Sequence, residues 1–187
     1  MLDTGSDAAT KVDGLVQALT GQGALTADVW RAALRRVPRH LFLPARALAV
    51  PDVPDGGKYP IDRDARPDEW WDAVYSDTSI ITQIDDGAGD PATNEGDRYT
   101  CSASAPGIVC GFLELLGPLD GDRVLEVGTG TGWTAALLAH RLGEANVTTI
   151  EVDPALVETA EKNLTAAGLH PCVVLGDGAD GYPDGAP

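Results

Sequence analysis

In this 187-residue chain, the residues best placed to do chemistry are three glycines and two carboxylates. Gly128, Gly130 and Gly132 fall within Arg123 to Trp133, RVLEVGTGTGW. Without Cβ atoms they permit a tight turn and let a ligand come close to the main chain. Glu151 stands in the apolar run VTTIEV, 23 positions after Gly128, where a parallel βαβ unit would deliver a carboxylate to a ribose diol. Asp177, in Gly176-Asp177-Gly178, closes the run CVVL and can accept a hydrogen bond from an adenine amino group. Such a set would bind a nucleoside-containing small molecule. It does not fit NAD or ATP: the dinucleotide fingerprint needs a glycine where Trp133 stands, and the phosphate loop's Gly-Lys-Ser/Thr is missing.

These residues need a strand-to-helix turn to hold them. Val124, Leu125 and Val127 read as a strand buried on both faces, and residues 131–142 as a helix with Leu137 and Leu138 inward and Gly143 as its stop. On this reading, free N–H groups at the start of that helix face the ligand. Residues 147–152 and 172–175 supply the next two strands.

Composition narrows the possibilities. A 43% apolar chain of this length can form one well-packed domain, and no apolar run is long enough to span a membrane. A formal charge of −16 argues against a nucleic-acid substrate. Arg31, Arg35, Arg36, Arg39 and Arg46 form a local basic island, read first as a solvated helix face and second as a docking site for an acidic peptide. Cys101, Cys110 and Cys172 have no C-x-x-C spacing, so reduced thiols are expected rather than disulfides or zinc. The acidic start of the sequence lacks a signal-peptide core, which predicts a cytoplasmic protein in which the sequons at Asn146 and Asn163 carry no glycan.

Upstream, residues 1 to about 8 are expected to be disordered, with a short helix over 11–19 broken by Gly21 and Gly23. Thr26 is expected to cap a second helix carrying Val29, Trp30, Ala33, Leu34 and Val37, which Pro38 ends. Residues 47–99 read as loop with one strand at 78–84, preceded by an aromatic knot of Trp70, Trp71 and Tyr75. The acids of 85–97 lack the calcium-loop pattern, and no metal is expected. Ser102-Ala103-Ser104-Ala105-Pro106 leads into a helix over 108–116 that one of the serines could cap.

Taken together, the glycine turn, the acid after the second strand and the G-D-G after the third resemble the S-adenosylmethionine site of class I methyltransferases. VPRHLFLP (37–44), SASAPGIV (102–109) and GDGADGYP (176–183) narrow the resemblance to the protein-L-isoaspartate O-methyltransferase family, over most of the chain from about position 25. The resemblance implies an α/β, Rossmann-like fold with an N-terminal helical extension. In three parts, residues 1–25 would form a flexible N-terminus and short helix, 26–120 a helical and substrate-side segment, and 121–187 the donor-binding core. It implies S-adenosylmethionine as methyl donor and S-adenosylhomocysteine as product. Gly128, Thr129, Gly130, Thr131 and Gly132 would hold the donor's methionine portion, Glu126 its ammonium, Glu151 and Val152 its ribose, and Asp177 and Gly178 its adenine. Ser102 and Ser104 would orient an acceptor carboxylate on a peptide or protein. Because that carboxylate is already ionised at neutral pH, it needs no base, and His40 is assigned a structural role.

Two departures from the family pattern stand out. After Tyr75-Ser76-Asp77 the linker IITQIDDGAGDPATNEGDRYT is long and altered, resembling the methyltransferases that modify ribosomally made peptides at an ordinary Asp. A repair enzyme acting on isoaspartyl residues is the alternative, and a non-catalytic donor- or peptide-binding module is a third reading. The second departure is that only three nucleotide-binding strands are recognisable before Pro187, so the sheet is expected to be incomplete and the sequence a fragment.

Overall fold

The computed structural model describes residues 4–51 and 56–182. Two sheets share its core. In the second half, β5 (Val124–Val127), β6 (Val147–Glu151) and β7 (Cys172–Leu175) form a parallel sheet in the order β5-β6-β7. Helices α5 (Trp133–Leu142) and α6 (Pro154–Ala166) make the two crossovers, as parallel strands require. The α/β reading of the donor half therefore holds. All three strand ends that carry the glycine turn, Glu151 and Asp177 lie at one edge of this sheet.

The first half departs from the expected loop. β1 (Arg46–Pro51), β2 (Tyr59–Asp62), β3 (Thr78–Ile84) and β4 (Tyr99–Ala103) build an antiparallel sheet in the order β2-β1-β3-β4, and α3 (Pro67–Val74) crosses between β2 and β3. Only β3 was anticipated. The others are short and carry Pro51, Pro60 or polar residues, so their period-2 signal is weak, and pairing with β3 is what holds them. Between β3 and β4 the register slips on either side of Gln83, an irregularity that sets Gln83 opposite Cys101.

At the N-terminus α1 (Thr4–Gly21) is longer than predicted and covers most of the stretch expected to be disordered; residues 1–3 lie outside the described residues. It is held by burial of Val12, Leu15, Val16 and Leu19. α2 (Asp28–Arg36) starts at Ala27 without a side-chain cap. Thr26 instead gives its N–H and hydroxyl, and Ala27 its N–H, to the Glu114 carboxylate of α4 (Pro106–Leu116), each at 2.7 Å. Burial works against ionisation of Glu114, but these donors and Arg31 outweigh it and lower the carboxyl's pKa.

Trp70, Phe42, Leu19, Leu25, Ile61, Ile80, Leu113, Leu137 and Leu164 have virtually no exposed surface and belong to one continuous cluster. Truncating Leu137 there to Ala costs about 2–5 kcal/mol. Within the basic island Arg31, Arg35 and Arg46 pair with Asp28, Asp13 and Asp90, Arg39 is buried, and Arg36 is exposed. The aromatic knot is joined by His40, whose ring lies 4.8 Å from Trp71 and whose Nδ1 is 2.5 Å from the Tyr75 hydroxyl.

One expectation for β5 fails. It is not buried on both faces: Leu125 and Val127 are exposed, Val127 by 61%. Among the described residues only β6 pairs with it, and these side chains stay largely exposed. The outer side of α4 is apolar and exposed too, with Phe112 67% and Leu115 85% exposed alongside Leu116, and Leu119 follows the helix, also exposed.

Candidate functional site

At the end of β5 the chain turns through Gly128, Gly130 and Gly132, with φ of 88°, 54° and 91°, values that L side chains rarely adopt. The glycines serve different ends. A Cβ on Gly132 would touch Ala160 and Leu164 at 3.4 Å, so this residue lets α6 pack against the turn. A Cβ on Gly130 would sit 3.4 Å from the Cys101 sulfur on β4. A Cβ on Gly128 would meet nothing within 4 Å, which makes Gly128 the position open to a ligand.

The turn's own amides are largely spoken for. Gly128 and Thr129 donate to the Ile150 carbonyl at 2.8 and 3.3 Å, Gly130 to Glu151 at 2.9 Å and Gly132 to the Thr129 carbonyl at 2.9 Å. Further donors at this point are the first-turn amides of α5, from Trp133 onward, which a helix leaves without an internal partner. Thr129 is buried with its hydroxyl 2.7 Å from that of Thr149, and the Thr131 carbonyl accepts from Asn163 at 3.0 Å. These two threonines shape the turn from within. Trp133, where a dinucleotide loop would have glycine, is buried, donates to the Val37 carbonyl at 3.2 Å and lies under the Arg39 guanidinium.

The second strand brings Glu151 to the turn. Its Oε2 accepts from Gly130, and its Oε1 from the amides of Val152 at 2.9 Å and Asp153 at 3.2 Å. Glu151 is buried, whereas Val152 projects outward, 68% exposed. Glu126, half-buried in β5, accepts the Thr149 hydroxyl at 2.6 Å. Loss of hydration pushes its pKa up to about 7; Thr149 opposes the shift and the neighbouring Glu151 charge adds to it. Asp177 is exposed and accepts the Ala179 amide at 2.9 Å. A Cβ on Gly178 would lie 2.2 Å from Val127, so the segment after β7 passes directly over the end of β5. The structure thus gathers Glu126, the glycine turn, Glu151 and Gly178 at one sheet edge, with Asp177 at its rim.

The two serines are arranged differently. Ser102 lies within β4 opposite Ile81, exposed, between buried Cys101 and Ala103, so its side chain leaves the face on which Cys101 meets Gly130. Ser104 is half-buried beyond the strand, and its carbonyl accepts from Arg39 at 2.8 Å. Neither caps α4. Ala105 is its N-cap without a side-chain bond, and Asp77 accepts the Gly107 amide at 2.7 Å while Ser79 accepts that of Ala105 at 3.1 Å.

Sequence reasoning overlooked Asp153, Gln83 and Cys101. Asp153 had a legible signal, an Asp-Pro step after a strand, and it caps α6 by accepting the Ala155 amide. Gln83 and Cys101 join the site only through the pairing of β3 with β4, which no local pattern announces. Among the described residues, no group of His, Cys, Asp or Glu is placed to hold a metal ion, and no helix is long and apolar enough to cross a membrane.

Comparison with known proteins gives a consistent neighbourhood. The family model described as Protein-L-isoaspartate(D-aspartate) O-methyltransferase matches residues 61–187. The protein-L-isoaspartate O-methyltransferase of Ignicoccus hospitalis is 33% identical over 175 residues, which is 92% of this chain and 65% of that protein. Its namesake in Methanoregula boonei is 39% identical over 157 residues, 83% of this chain and 54% of the relative. A solved protein-L-isoaspartate O-methyltransferase superposes with a TM-score of 0.66 at 26% identity, covering 94% of this chain and 45% of that one. A Plasmodium falciparum structure described as a beta-aspartate methyltransferase in complex with S-adenosyl-L-homocysteine shares the fold, with a TM-score of 0.55 at 16% identity, covering 87% of this chain and 61% of that one. The chain thus spans between 54 and 65% of the length of these two curated relatives.

Proposed function

The chain belongs to the protein-L-isoaspartate(D-aspartate) O-methyltransferase family, and from that premise we propose that it serves the transfer of a methyl group from S-adenosylmethionine to an Asp-derived carboxylate of a peptide or protein. The observation that carries this reading is the meeting of the open Gly128 position with Glu151 and Glu126 at one sheet edge. The residues fit the donor. Gly128 leaves room for its methionine portion, Glu126 offers a carboxylate to the ammonium, Glu151 one to the ribose, and Asp177 an acceptor to the adenine amino group. The rest of the turn, Thr129 to Gly132, with Val152 and Gly178, frames it. When bound, the donor supplies an electrophilic methyl group on a sulfonium.

What the chain itself contributes is placement. A carboxylate acceptor is anionic at neutral pH, so orientation rather than proton removal limits the reaction. Ser104 is proposed to orient that carboxylate through its hydroxyl, beside a donor turn against which β4 packs at Cys101, whereas Ser102, expected to share this role, directs its side chain to the other face of β4. Free Cys101, Cys110 and Cys172 suit a reducing, cytoplasmic setting.

An isoaspartyl acceptor has the support of the names its relatives carry. The altered linker favours a second reading, an ordinary Asp in a cyclised peptide. Its 85–98 stretch is ordered by Asp85, which accepts the amides of Asp97 and Arg98 at 2.9 and 3.0 Å. The experiment is methyl transfer from labelled donor to an isoaspartyl peptide and to a cyclised Asp peptide, with products mapped by mass spectrometry. Transfer to one of them identifies the acceptor. Donor binding without transfer to either would reduce the chain to a binding module, and methylation of Lys, Cys or a nucleobase would overturn the carboxylate reading.

A further inference from the structure

A line of hydrogen bonds runs from the loop at 85–98 to the Glu151 carboxylate, and Gln83 is its middle link. The Gln83 carbonyl accepts the Thr100 hydroxyl at 2.8 Å, and its NH₂ donates to Asp153 Oδ2 at 2.7 Å. On the loop side, the same Thr100 oxygen accepts the Asp86 amide at 3.0 Å, and Asp85 closes the loop by exchanging bonds with Asp97 and Arg98. On the donor side, Asp153 caps α6 with Oδ1 and gives its own amide to Glu151 Oε1, while Glu151 Oε2 holds the Gly130 amide. Each link is at hydrogen-bond distance, and the middle one is buried.

The geometry around Gln83 is particular. The slip in register between β3 and β4 falls on both sides of it, and such irregularities re-aim a side chain at the cost of regular pairing. Here the slip turns a polar side chain inward beside Cys101, where an unpaired amide would be costly. Both ends of that amide are used, and they bridge two sheets that otherwise meet here by packing, as Cys101 does on Gly130. Ionisation of Asp153 is favoured first of all by Gln83, then by the Ala155 amide.

We propose that Gln83 is a positioning residue that couples loop 85–98 to the Glu151 carboxylate, so that filling the donor site tightens that loop. This rests on the donor-binding reading above. Because coupling between two sites is reciprocal, an ordered loop would in turn strengthen donor binding.

The test combines calorimetry with amide hydrogen exchange on the full chain, using S-adenosylhomocysteine as the probe. In the wild type, saturation with this ligand is expected to slow exchange at Asp86, Asp97 and Arg98 at least threefold. In Gln83→Leu the ligand should still bind, within tenfold of wild type, but the slowing at those amides should vanish. Gln83→Glu is the second variant. Facing Asp153, with Glu151 and Cys101 nearby, its carboxyl is driven to hold a proton. Near pH 5.5 it can donate to Asp153 and accept from Thr100 as the amide does, and the slowing should return; at pH 8 it should be lost.

Slowing that survives in Gln83→Leu, no slowing in wild type that binds the ligand, or no recovery of Gln83→Glu at low pH would each overturn the coupling alone. Failure of wild type to bind S-adenosylhomocysteine would overturn the functional reading, and the coupling with it. If Gln83→Leu does not fold, the two pH values of Gln83→Glu decide the matter.

Discussion

Glu151 Oε2 accepts the main-chain amide of Gly130 at 2.9 Å, so the carboxylate after the second parallel strand and the turn after the first hold each other in place. Glu151→Ala should therefore weaken S-adenosylhomocysteine binding by roughly tenfold to a hundredfold, the equivalent of one hydrogen bond to a charged group, about 1.5–3 kcal/mol. Calorimetry checks this. A loss under threefold would place Glu151 outside the donor site.

The glycines should respond differently to substitution. At Gly128 a methyl group meets empty space, so Gly128→Ala is expected to cost only the left-handed backbone penalty, about 1–2 kcal/mol. Gly128→Val should then reduce donor affinity beyond tenfold while the protein stays folded. Gly130→Val directs its bulk at Cys101 and should lower stability more than Gly128→Val does. Urea unfolding and calorimetry on the three variants separate the effects, and equal donor affinity in Gly128→Val and wild type would sink the assignment.

Glu126 sets a pH dependence. Its pKa rises from 4.5 in the unfolded chain to about 7 on folding, chiefly through loss of hydration. Between these values the folded state keeps a proton that the unfolded state has released, so stability falls as pH rises through this window, and the loss is complete above pH 7. Glu126→Gln should raise the melting temperature relative to wild type at pH 8 and leave it nearly unchanged at pH 4. If Glu126 meets the donor's ammonium, binding at pH 6 will release protons, which calorimetry in buffers of different ionisation enthalpy detects.

Arg39 is the buried clamp between the helical N-terminus and the segment carrying Ser104. Its guanidinium donates to the carbonyls of Val74, Thr78, Ala103 and Ser104 at 2.8–3.2 Å. Arg39→Met leaves buried carbonyls short of a donor and should cost roughly 2–4 kcal/mol. The measurement is equilibrium unfolding in urea, with a change under 1 kcal/mol as the contrary result.

The donor half was legible in the sequence because its signals are local. A strand, a glycine turn and a helix follow one another between Val124 and Leu142, and Glu151 comes at the distance a crossover dictates. The antiparallel sheet was not, since β1, β2 and β4 are fixed by partners distant in sequence, as when Leu48 pairs with Ile81 and Ile80 with Ala103. For the same reason Thr26 was misread as a cap: the oxygens that anchor α2 belong to Glu114, 88 positions away. Gln83 stayed hidden too, because its role comes from a slip in pairing rather than from its neighbours in the chain. β5 was expected to be buried from its apolar sequence, which gives a strand's preference for burial but not what covers it.

The exposed apolar side chains of Phe112, Leu115 and Leu116 on α4, of Leu119 after it, and of Leu125 and Val127 on β5 give this polypeptide a colloidal character of its own. Contact between such exposed apolar side chains on two copies is attractive, while a net charge of −16 keeps copies apart. Added salt shortens the reach of that repulsion to about 8 Å at 0.15 M and leaves the hydrophobic attraction intact. The light-scattering mass of the chain should therefore grow as salt is added, the reverse of what ion-paired assemblies do, and Leu115→Lys should blunt the growth.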